Sequence, residues 1–511
     1  MELKFKSIGE MIKTQGRAYA DKTVIRFYDR DVTYRELDEK SDAIAKSLQG
    51  LGVKKGDRVC LLMDNSPEFY FTYFGIIKLG AIAGPVNCWW QTKEIAYLFN
   101  DSGAVAVFVD AAYWGHLEKI RAGSPALKHV IGRDCAGKDC IDFEGFIAAK
   151  GKPDLPACAP DDVSTIVYTS GTTGNPKGVL LSHGNILTNS AQAGRLANIR
   201  ENDVVMCFLP LFHVNGLVIT GCAPMCAGAQ IILRKNFSAS EFWECVAKYR
   251  VTIFSGVPTV YQILLATPAG DVDVSSLRYG VCGAAPMPVE TIRRFEERFN
   301  MIIIEGYGLT EGTAGATANP IDGVRKIGSI GIPFADSEVS IFDDEDRELP
   351  AGEVGEIVIR GGNVMKGYFN KPAETAETLR GGWLHTGDMA YKDADGYLFI
   401  VDRKKEMIIR GGENIYPKEL EEIMRGHELV QDVAVVGAKD EIYGEEVMAC
   451  LILKPGAALT AEEFRGWCKE NMASYKVPRY VDMRTEFPRN ILGKILKKEL
   501  KAALRGEGKI G

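Results

Sequence analysis

Several features typical of membrane, secreted and zinc-binding proteins are missing from this sequence. No apolar stretch approaches the roughly 18 residues that a membrane-spanning helix needs, and residues 1–8 contain no apolar run of signal-peptide length. The 12 cysteines are scattered, and neither Cys135 and Cys140 nor Cys222 and Cys226 have a second pair at zinc-binding spacing. These absences predict a cytoplasmic protein whose cysteines are buried free thiols.

A basic surplus is also missing, as are internal repeats and low-complexity tracts. With 61 Lys and Arg against 68 Asp and Glu, the formal net charge is −7, which disfavours a nucleic-acid-binding protein. The 511 residues exceed what a single hydrophobic core holds, so several domains are expected. This balance fits an enzyme that acts on small metabolites.

The most distinctive stretch runs from Tyr168 to Gly178 and reads Tyr-Thr-Ser-Gly-Thr-Thr-Gly-Asn-Pro-Lys-Gly. It follows a short β-branched segment that predicts a strand. Its glycines let backbone N–H groups approach a polyphosphate, its hydroxyls add donors, and Lys177 adds charge. It is not a Walker A loop, because Gly178 follows Lys177 where that motif has Ser or Thr. A flexible surface loop remains the alternative for this stretch taken alone.

Strands and helices alternate through the first half of the chain. Apolar segments at 57–62, 81–86 and 105–109 predict strands, and 67–79 and 92–99 predict helices. Strands that are apolar throughout and alternate with helices indicate a mostly parallel sheet covered on both faces. The fold class is therefore α/β, with a large N-terminal domain of stacked sheets and helices.

The pattern changes twice in the second half. From about residue 327 the strands become shorter and turns more frequent, which indicates a small barrel-like piece. A charged break at 402–405 separates this piece from an α+β pattern. We therefore predict an N-terminal domain over 1–401, with a barrel-like subdomain at about 327–401, and a C-terminal α+β lid domain over 402–511.

Three further segments carry groups that suit nucleotide chemistry. Thr310 and Glu311 follow an apolar strand, where the ligand crevices of α/β sheets lie, and a hydroxyl with a carboxylate suits Mg²⁺. The Asp388 carboxylate suits two ribose hydroxyls, and Lys494 follows a glycine near the C-terminus. Each segment alone is equally well explained as a turn, a cap or a solvated charge, so their order together carries the argument.

In that order the segments resemble those of the adenylate-forming superfamily, which includes acyl-CoA synthetases, luciferases and peptide-synthetase adenylation domains. The resemblance covers nearly the whole chain without a large insertion. It implies two half-reactions, in which a carboxylate attacks the α-phosphorus of ATP to give acyl-AMP and pyrophosphate, and a thiol then displaces AMP. ATP and CoA are the implied co-substrates and Mg²⁺ the implied cofactor. The segments that carry the resemblance are 168–178, 210–213, 306–311, 386–388, 402–405 and 493–494.

The resemblance also implies a set of nucleotide contacts. Glu311 is the implied Mg²⁺ ligand with Thr310 at the α-phosphate, while Asp388 and Arg403 hold the ribose. The implied phosphate contacts are Thr169, Ser170, Gly171, Thr172, Thr173, Gly174 and Lys177. The implied contacts along the adenine are Gly283, Ala284, Ala285, Glu305, Gly306, Tyr307 and Gly308.

Further implied roles fall on the C-terminal part of the chain. Lys494 resembles the lysine that bridges the carboxylate and the α-phosphate, and a lysine suits this task because it is a compact charge that a moving domain can bring in and withdraw. Asp402 resembles the hinge residue between the two half-reactions. Gly411, Gly412 and Glu413 are the implied residues beside the CoA pantetheine arm.

The acyl group is where the resemblance is least specific. His213 is implied to line and gate the acyl pocket, and the remaining pocket residues are Val214, Val257, Gly283, Tyr307, Gly312 and Gly315. None of them is Arg or Lys, so a monocarboxylate is predicted, because a second carboxylate would call for a cation. Gly312 and Gly315 leave room for a long substrate, which favours a medium- or long-chain fatty acid.

Other readings stay open. The chain is alternatively an aryl- or alicyclic-carboxylate–CoA ligase, or an adenylating enzyme that loads a carrier protein. A nucleotide-binding protein without catalysis is disfavoured because Lys177, Glu311, Asp388 and Lys494 are all present. The oligomeric state is open, a homodimer included, and the basic run 494–500 suggests at most weak peripheral contact with a membrane.

Overall fold

The structure is a computed structural model that describes residues 3–169, 176–270, 272–285, 287–411, 413–440, 442–489 and 495–510. It divides into two compact units. The first comprises Met1–Val339 and Ile359–Leu384, and the second comprises Ser340–Val358 and His385–Gly511. The predicted boundary at Asp402 stays a prediction. Among the described residues, no helix is both long and apolar enough to cross a membrane.

Several helices of the first unit begin where a side chain caps their free N–H groups. The hydroxyl of Thr33 accepts a hydrogen bond from Glu36 N, and that of Ser66 accepts one from Phe69 N. The helices of this unit are α1 Ile8–Ala18, α2 Tyr34–Gly50, α3 Pro67–Lys78, α4 Thr92–Ser102, α5 Trp114–Ile120, α6 Phe143–Ile147, α7 His183–Leu196, α8 Ala223–Ala227, α9 Ala239–Tyr249, α10 Pro258–Ala266, α11 Val289–Phe299 and α12 Pro372–Thr378.

The strands up to residue 368 are short and mostly buried. In chain order they are β1 Thr23–Phe27, β2 Arg30–Thr33, β3 Arg58–Leu62, β4 Ile82–Pro85, β5 Ala106–Asp110, β6 His129–Arg133, β7 Ile141–Asp142, β8 Val163–Thr169, β9 Lys177–Ser182, β10 Val204–Cys207, β11 Gln230–Leu233, β12 Ile253–Gly256, β13 Tyr279–Cys282, β14 Ile302–Tyr307, β15 Thr317–Ala318, β16 Ile332–Pro333, β17 Ser337–Phe342, β18 Gly355–Gly361 and β19 Gly367–Tyr368.

Two large sheets organise the first unit. One has the strand order β19-β9-β8-β4-β3-β5-β6-β7, and the other has the order β16-β15-β14-β13-β12-β10-β11-β1-β2. Their central neighbours pair in parallel, as the alternating pattern predicts. Strands β3, β4 and β5, together with α3 and α4, match the predicted segments to within three residues. Strand β9, which pairs antiparallel with β8, was not among the predicted strands.

Helix α3 explains how the two sheets form one core. Every residue of α3 is buried, as expected of a helix surrounded by protein on all sides. Its aromatic side chains belong to a hydrophobic cluster that also contains Leu61 of the first sheet and Ile231 of the second. This helix therefore lies in the core that the two sheets share.

The second unit follows an α+β pattern. Its helices are α13 Pro417–Arg425, α14 Ala461–Asn471 and α15 Lys497–Gly506. The remaining strands are β20 Leu384–Lys392, β21 Leu398–Arg403, β22 Ile408–Arg410, β23 Glu413–Ile415, β24 Val430–Asp440, β25 Gly444–Leu453 and β26 Tyr480–Met483. Strands β17 and β18, which belong to this unit in part, lie in a four-stranded sheet of order β17-β18-β20-β21. A second sheet has the order β23-β22-β25-β24, with β26 beside β25.

The side chains of β24 point alternately to the two faces of the second sheet and contribute to a hydrophobic cluster on each face. Val433 and Val435 belong to the cluster that includes residues of α13 and α14. Ala434 and Val436 belong to the cluster that includes Leu500 of α15. Because successive side chains of a strand point to opposite faces, one strand supplies both layers of this small core.

Candidate functional site

The carboxyl ends of β12, β13 and β14 meet at one edge of the nine-stranded sheet. Gly256 pairs with Cys282, and Cys282 pairs with Glu305, all in parallel register. The segments that follow these residues therefore lie side by side, and Gly283 N donates a hydrogen bond to Gly256 O at 3.4 Å. This edge is where ligand crevices of open α/β sheets lie. The structure thus brings together the predicted adenine segments 283–285 and 305–308.

Backbone strain marks the same edge. Ala284 has a φ of 66° and Thr313 a φ of 73°, in the region that residues with a side chain rarely adopt. Such conformations persist only where the surrounding structure enforces them, and they concentrate at functional sites. Both residues belong to segments that the sequence predicts to contact nucleotide or acyl group.

Predicted residues Thr310, Glu311 and Gly312 form a single 3₁₀ turn in the connection between β14 and β15. This connection folds back tightly, since Ala316 N donates to Tyr307 O at 2.8 Å. A Cβ on Gly308 would lie 1.6 Å from the carbonyl oxygen of Ala314. Only glycine fits at this close approach, so Gly308 has a packing role that the sequence does not reveal.

Two buried asparagines hold that connection in place. Gly315 N donates to Asn189 Oδ1 at 3.0 Å, and Asn189 Nδ2 donates to Gly315 O at 2.6 Å. Asn363 Nδ2 donates to Gly312 O at 3.2 Å, and the Thr313 hydroxyl donates to Asn363 O at 2.5 Å. Sequence reasoning missed both asparagines, because a lone Asn gives no pattern that predicts a distant partner.

The environment of Gly315 bears on the predicted room for a long substrate. A Cβ at Gly315 would lie 2.7 Å from the ring of Phe334. The missing side chain of Gly315 thus makes room for Phe334. This position therefore gives no support to the inference of a long acyl chain, whereas Gly312 has looser surroundings, with Leu309 at 3.2 Å.

Tyr368 links the glycine-rich stretch to Glu311. Its hydroxyl donates to Glu311 Oε1 at 2.9 Å, and Lys177 Nζ lies 4.7 Å from the centre of its ring. Burial, together with the Glu311 carboxylate, raises the pKa of Tyr368, so the hydroxyl stays protonated and donates. Strand β19 positions this side chain by pairing Tyr368 with Val179 of β9. The sequence analysis did not single out Tyr368.

The ends of the glycine-rich stretch are fixed by the hairpin of β8 and β9. Thr169 and Lys177 stand directly opposite each other in the antiparallel register. The cation–π contact places Lys177 over the ring of Tyr368, the residue whose hydroxyl bonds Glu311. The predicted phosphate contacts between these ends lie outside the described residues; they are Ser170, Gly171, Thr172, Thr173 and Gly174.

His213 lies two residues before a π-helix that spans Asn215–Cys222, a helix type frequent at functional sites. Its ring contacts Phe212, which Trp89 meets edge-on with ring centroids 4.9 Å apart. Burial lowers the pKa of His213 to about 4, so the ring is neutral at pH 7. Among the described residues, no hydrogen bond of this ring is found. A neutral imidazole beside two aromatic rings gives this site an uncharged character.

The other predicted acyl-pocket residues lie close to this point along the chain or at the sheet edge. Val214 precedes the π-helix, which packs against β10 and β12. Val257 follows β12 directly and is buried, and Tyr307 ends β14 and is buried as well. The predicted pocket residues therefore map to neighbouring strand ends and to the β14–β15 connection.

In the second unit the structure brings Asp388 and Arg403 together. They are direct partners in the antiparallel register of β20 and β21, and Arg403 Nε lies 2.8 Å from Asp388 Oδ1. The turn before Asp388 is braced by Thr386, whose hydroxyl donates to Ile357 O at 2.8 Å and accepts from Asp388 N at 3.1 Å. A buried carboxylate fixed in this way is suited to accept hydrogen bonds from vicinal hydroxyls.

Asp402 fastens the end of β21 to the start of α13. Its Oδ1 accepts from Arg403 N at 2.6 Å and its Oδ2 accepts from Lys418 N at 2.7 Å. Lys418 is in the first turn of α13, so the carboxylate satisfies a helix N–H group that has no partner within the helix. Burial raises the pKa of Asp402 despite these bonds. The predicted hinge residue is thus also a helix-capping residue.

Gly411 lies in the tight connection between β22 and β23, where Arg410 pairs with Glu413. Its φ of 59° is left-handed, and its N–H donates to Tyr443 O at 2.8 Å. This conformation explains the need for glycine. Glu413 is exposed at the start of β23. The predicted partners Gly412 and Lys494 lie outside the described residues.

The residues around Glu311 suit Mg²⁺ as sequence analysis predicts. Mg²⁺ takes one or two protein carboxylates and completes its shell with phosphates and water. Glu311 Oε1 accepts from Tyr368, and within the part of the chain that the structure describes its second oxygen makes no hydrogen bond. No group of three or more His, Cys, Asp or Glu side chains poised for a metal occurs among the described residues. A single carboxylate fits a cation whose remaining ligands are phosphates and water, and the Mg²⁺ role of Glu311 stays a prediction.

An α/β unit of this size followed by a small α+β unit is the architecture of adenylate-forming enzymes. The chain belongs to the AMP-binding enzyme family: residues 12–369 match the AMP-binding enzyme family and residues 419–494 match the AMP-binding enzyme C-terminal domain. The resemblance that the sequence motifs indicate is thereby confirmed.

Relatives with stated activities agree on the reaction. The crotonobetaine/carnitine–CoA ligase of Salmonella paratyphi A is 36% identical over 510 residues, covering 97% of this chain and 99% of the relative. The crystal structure of the anthranilate CoA ligase AuaEII in complex with anthranoyl-AMP has a TM-score of 0.91 and 30% identity, covering 100% of this chain and 99% of that one. A fatty acyl CoA synthetase of Mycobacterium tuberculosis has a TM-score of 0.82 and 31% identity, covering 99% and 100%.

These likenesses identify the chain as an AMP-forming acid–CoA ligase of the adenylate-forming type, with ATP and CoA as its co-substrates. They also favour CoA over a carrier protein as the acceptor. The relatives differ in the acid that their names state, so the acid is not defined by family membership.

Proposed function

We propose that this ligase activates a monocarboxylic acid with a neutral acyl group, with a medium- or long-chain fatty acid as the first candidate. The observation that supports this most directly is the uncharged character of the predicted acyl pocket. Val257 and Tyr307 are buried, and His213, whose pKa lies at about 4, is neutral at pH 7. A charged tail would lose its hydration there without gaining a partner of opposite charge, which is costly.

An aromatic acid is the second candidate, and a specific arrangement favours it. Trp89 meets Phe212 edge-on beside His213, and Tyr307 ends the neighbouring strand β14. Aromatic rings gain from edge-to-face contacts beyond their apolar burial. The related anthranilate CoA ligase acts on an aromatic acid by its name. The contact between Gly315 and Phe334 removes one argument for a long aliphatic chain.

In the proposed mechanism a carboxylate oxygen of the acid attacks the α-phosphorus of ATP, and the bond from this phosphorus to the bridging oxygen breaks, so that pyrophosphate leaves. Lys177 and the glycine-rich stretch hold the leaving pyrophosphate, whose charge grows in the transition state. Glu311, oriented by the Tyr368 hydroxyl, is the proposed ligand of Mg²⁺. When bound there, Mg²⁺ would neutralise charge on the phosphates.

The remaining roles fall on the second unit. The Asp388 carboxylate, held by Arg403, is proposed to bind the ribose hydroxyls. Lys494 is proposed to bridge the acid carboxylate and the α-phosphate during adenylation. Gly411, Gly412 and Glu413 are proposed to line the path of the CoA thiol, which attacks the acyl carbonyl carbon and releases AMP. His213 is proposed to form a neutral wall of the acyl pocket.

The acid can be identified by ATP–pyrophosphate exchange in the absence of CoA, with palmitate, octanoate, benzoate, anthranilate, crotonobetaine and malonate as substrates. We expect kcat/KM to be about tenfold or more higher for the neutral monocarboxylates than for malonate and crotonobetaine. Burying a charge without a partner costs at least the free energy that corresponds to a tenfold difference in rate. Preference for malonate or crotonobetaine would refute the neutral-pocket proposal. Preference for benzoate or anthranilate over both fatty acids would replace the first candidate by the second.

A further inference from the structure

Lys497 is a largely buried cation at the start of α15, and nothing in the proposed mechanism uses it. Its side chain is 14% exposed, and its Nζ lies 2.8 Å from Glu421 Oε1 and 3.4 Å from Glu406 Oε2. Burial favours the neutral amine, but Glu421, Glu406 and Asp402 outweigh it and raise the pKa of Lys497. The side chain is therefore a charged ammonium among carboxylates.

These carboxylates belong to separate elements of the second unit. Asp402 is the penultimate residue of β21 and accepts from Lys418 N of α13. Glu421 is in α13, and its Oε1 also accepts from Val435 N of β24 at 2.8 Å. Lys497 therefore connects the start of α15 to Glu421 of α13 and to Glu406, in the turn after β21, and Glu421 in turn bonds β24. Breaking an ion pair that is buried to this degree strongly destabilises a protein, because removal of one partner leaves an unpaired buried charge.

The chain just before Lys497 forms a short stem. Arg489 and Ile495 pair as an antiparallel bridge, and Leu496 N donates to Pro488 O at 2.8 Å. The five residues between the two sides of this stem lie outside the described residues, and Lys494 is one of them. Lys497 follows the stem directly, so the ion-pair cluster fixes the chain on the C-terminal side of the stem.

The cluster also distinguishes Lys497 from Lys494. An ammonium that is committed to Glu421 and Glu406 would have to abandon both carboxylates to reach a nucleotide, at a large energetic cost. Lys497 is therefore suited to hold structure rather than to contact the reacting groups.

We propose that Lys497 is a positioning residue for adenylation, which fixes Ile495 and Leu496, the residues that directly follow Lys494 in the chain, against α13 and Glu406. This inference rests on the role proposed for Lys494.

The main test compares Lys497→Met with the unchanged protein in the two half-reactions. Formation of acyl-AMP is followed in a single turnover with ATP and acid, and thiolysis is followed by adding CoA to isolated acyl-AMP. We expect acyl-AMP formation to slow about tenfold or more with the KM for ATP changed less than about twofold, since a misplaced catalytic group affects kcat more than binding. Thiolysis should stay within about twofold, and Lys497→Arg should recover most of the adenylation rate.

The matched control is Lys476→Met. Lys476 also pairs with a glutamate of α13, Glu419, with Nζ 2.6 Å from Oε1, but it is not adjacent to the stem. We expect this variant to adenylate at nearly the original rate. The variants Lys494→Ala and Lys494→Ala with Lys497→Met complete the series, and the double variant should adenylate no more slowly than Lys494→Ala alone, because Lys497 acts through Lys494.

The possible outcomes separate this inference from the function on which it rests. If Lys494→Ala slows adenylation while Lys497→Met behaves like Lys476→Met, the positioning role is refuted and the role of Lys494 stands. If Lys494→Ala adenylates normally, both are refuted. Equal slowing of both half-reactions in Lys497→Met, or a further loss on the Lys494→Ala background, would show a general structural role and overturn the inference.

A milder variant covers the case in which Lys497→Met does not fold. Glu406→Gln removes only the more distant carboxylate, 3.4 Å away, and leaves the Glu421 pair in place. We expect a selective slowing of adenylation of about threefold, with an unchanged thermal midpoint. A normal adenylation rate in this folded variant would count against the positioning role.

Discussion

At the scale of single residues, Tyr368 is the most informative side chain in the first unit. It donates a hydrogen bond to Glu311 and carries Lys177 over its ring, so it connects the proposed metal ligand with the proposed phosphate-binding stretch. A hydrogen bond to one carboxylate oxygen orients the other, and supporting contacts of this kind commonly tune metal sites. Tyr368 therefore belongs to the candidate site although no motif indicates it.

Removal of the hydroxyl alone tests this role. Tyr368→Phe keeps the ring beneath Lys177 but leaves Glu311 without its donor. We expect the rate of acyl-AMP formation to fall about tenfold and the Mg²⁺ concentration for half-maximal rate to rise, because hydrogen bonds to charged groups contribute about 1.5–3 kcal/mol. A Mg²⁺ titration of ATP–pyrophosphate exchange measures both effects.

Tyr97→Phe is the control for that experiment. Tyr97 also donates to a carboxylate, Asp101 Oδ1 at 3.4 Å, but both residues belong to α4 and neither is a proposed site residue. Its Mg²⁺ dependence should match that of the unchanged protein. An unaltered Mg²⁺ dependence in Tyr368→Phe would show that the hydroxyl does not orient a metal ligand.

The difference between Glu311 and Tyr368 shows what the sequence can predict about a site. Glu311, Asp388 and Lys177 stand in short segments that combine glycine, hydroxyl and charge, and such local combinations are visible without a structure. Tyr368 and Asn189 are single residues whose partners, Glu311 and Gly315, lie 57 and 126 positions away. Contacts at such separations depend on how distant strands pair, which no local pattern encodes.

At the scale of elements, the connection between β14 and β15 shows the same limit. Its strand and its chemistry-bearing residues are predictable from hydrophobicity and motif, since β14 begins with the apolar run Ile302–Ile304. Its tight return is not, because it depends on the contact of Gly308 with Ala314 O and on two asparagines from other parts of the chain. Strand β9 is similar: it is defined by pairing with β8, and its own residues carry no strong period.

The close approach at Gly308 makes a sharp prediction for that element. Gly308→Ala would place a Cβ 1.6 Å from Ala314 O, so the connection that carries Thr310 and Glu311 must shift. We expect a loss of about 3 kcal/mol in the free energy of unfolding or more, together with adenylation reduced about 100-fold, because a displacement of this size also moves the site residues. Urea unfolding and ATP–pyrophosphate exchange measure the two effects.

Gly194→Ala provides the comparison. Gly194 lies in α7, and a Cβ there would meet no atom within 4 Å. Alanine in a helix is favoured over glycine by about 1 kcal/mol, so this variant should be as stable as the original or slightly more so. Equal stability of the Gly308→Ala and Gly194→Ala variants would contradict the close contact at Gly308.

At the scale of the whole molecule, the chain comprises two compact units, and the proposed roles fall on both. Lys177 and Glu311 belong to the first unit, and Asp388 and Arg403 belong to the second. The proposed mechanism also uses Lys494 during adenylation and Gly411 during thiolysis, and both residues follow the predicted hinge residue Asp402. A hinge at Asp402 meets that need, because a few backbone dihedrals can reorient the chain that follows it.

Asp402 is the residue at which this proposal can be tested. Proline there fixes φ near −65° and restricts the preceding residue, so rotation about the predicted hinge would be restricted. We expect Asp402→Pro to retain one half-reaction within about threefold and to slow the other about 100-fold, since one arrangement would be trapped. Single-turnover formation of acyl-AMP and thiolysis of isolated acyl-AMP by CoA measure the halves separately.

The capping role of Asp402 must be separated from its role as a hinge. The carboxylate accepts from Lys418 N at the start of α13, so any substitution also removes a helix cap, a loss of about 1 kcal/mol. Asp402→Asn keeps an acceptor oxygen and an unrestricted φ, and Asp402→Ala removes the cap without restricting the backbone. If Asp402→Ala uncouples the half-reactions as strongly as Asp402→Pro, the cap and not the hinge is responsible. If only Asp402→Pro does so, while the other two variants slow both halves equally and slightly, the backbone at residue 402 is the point about which the predicted lid domain, residues 402–511, turns.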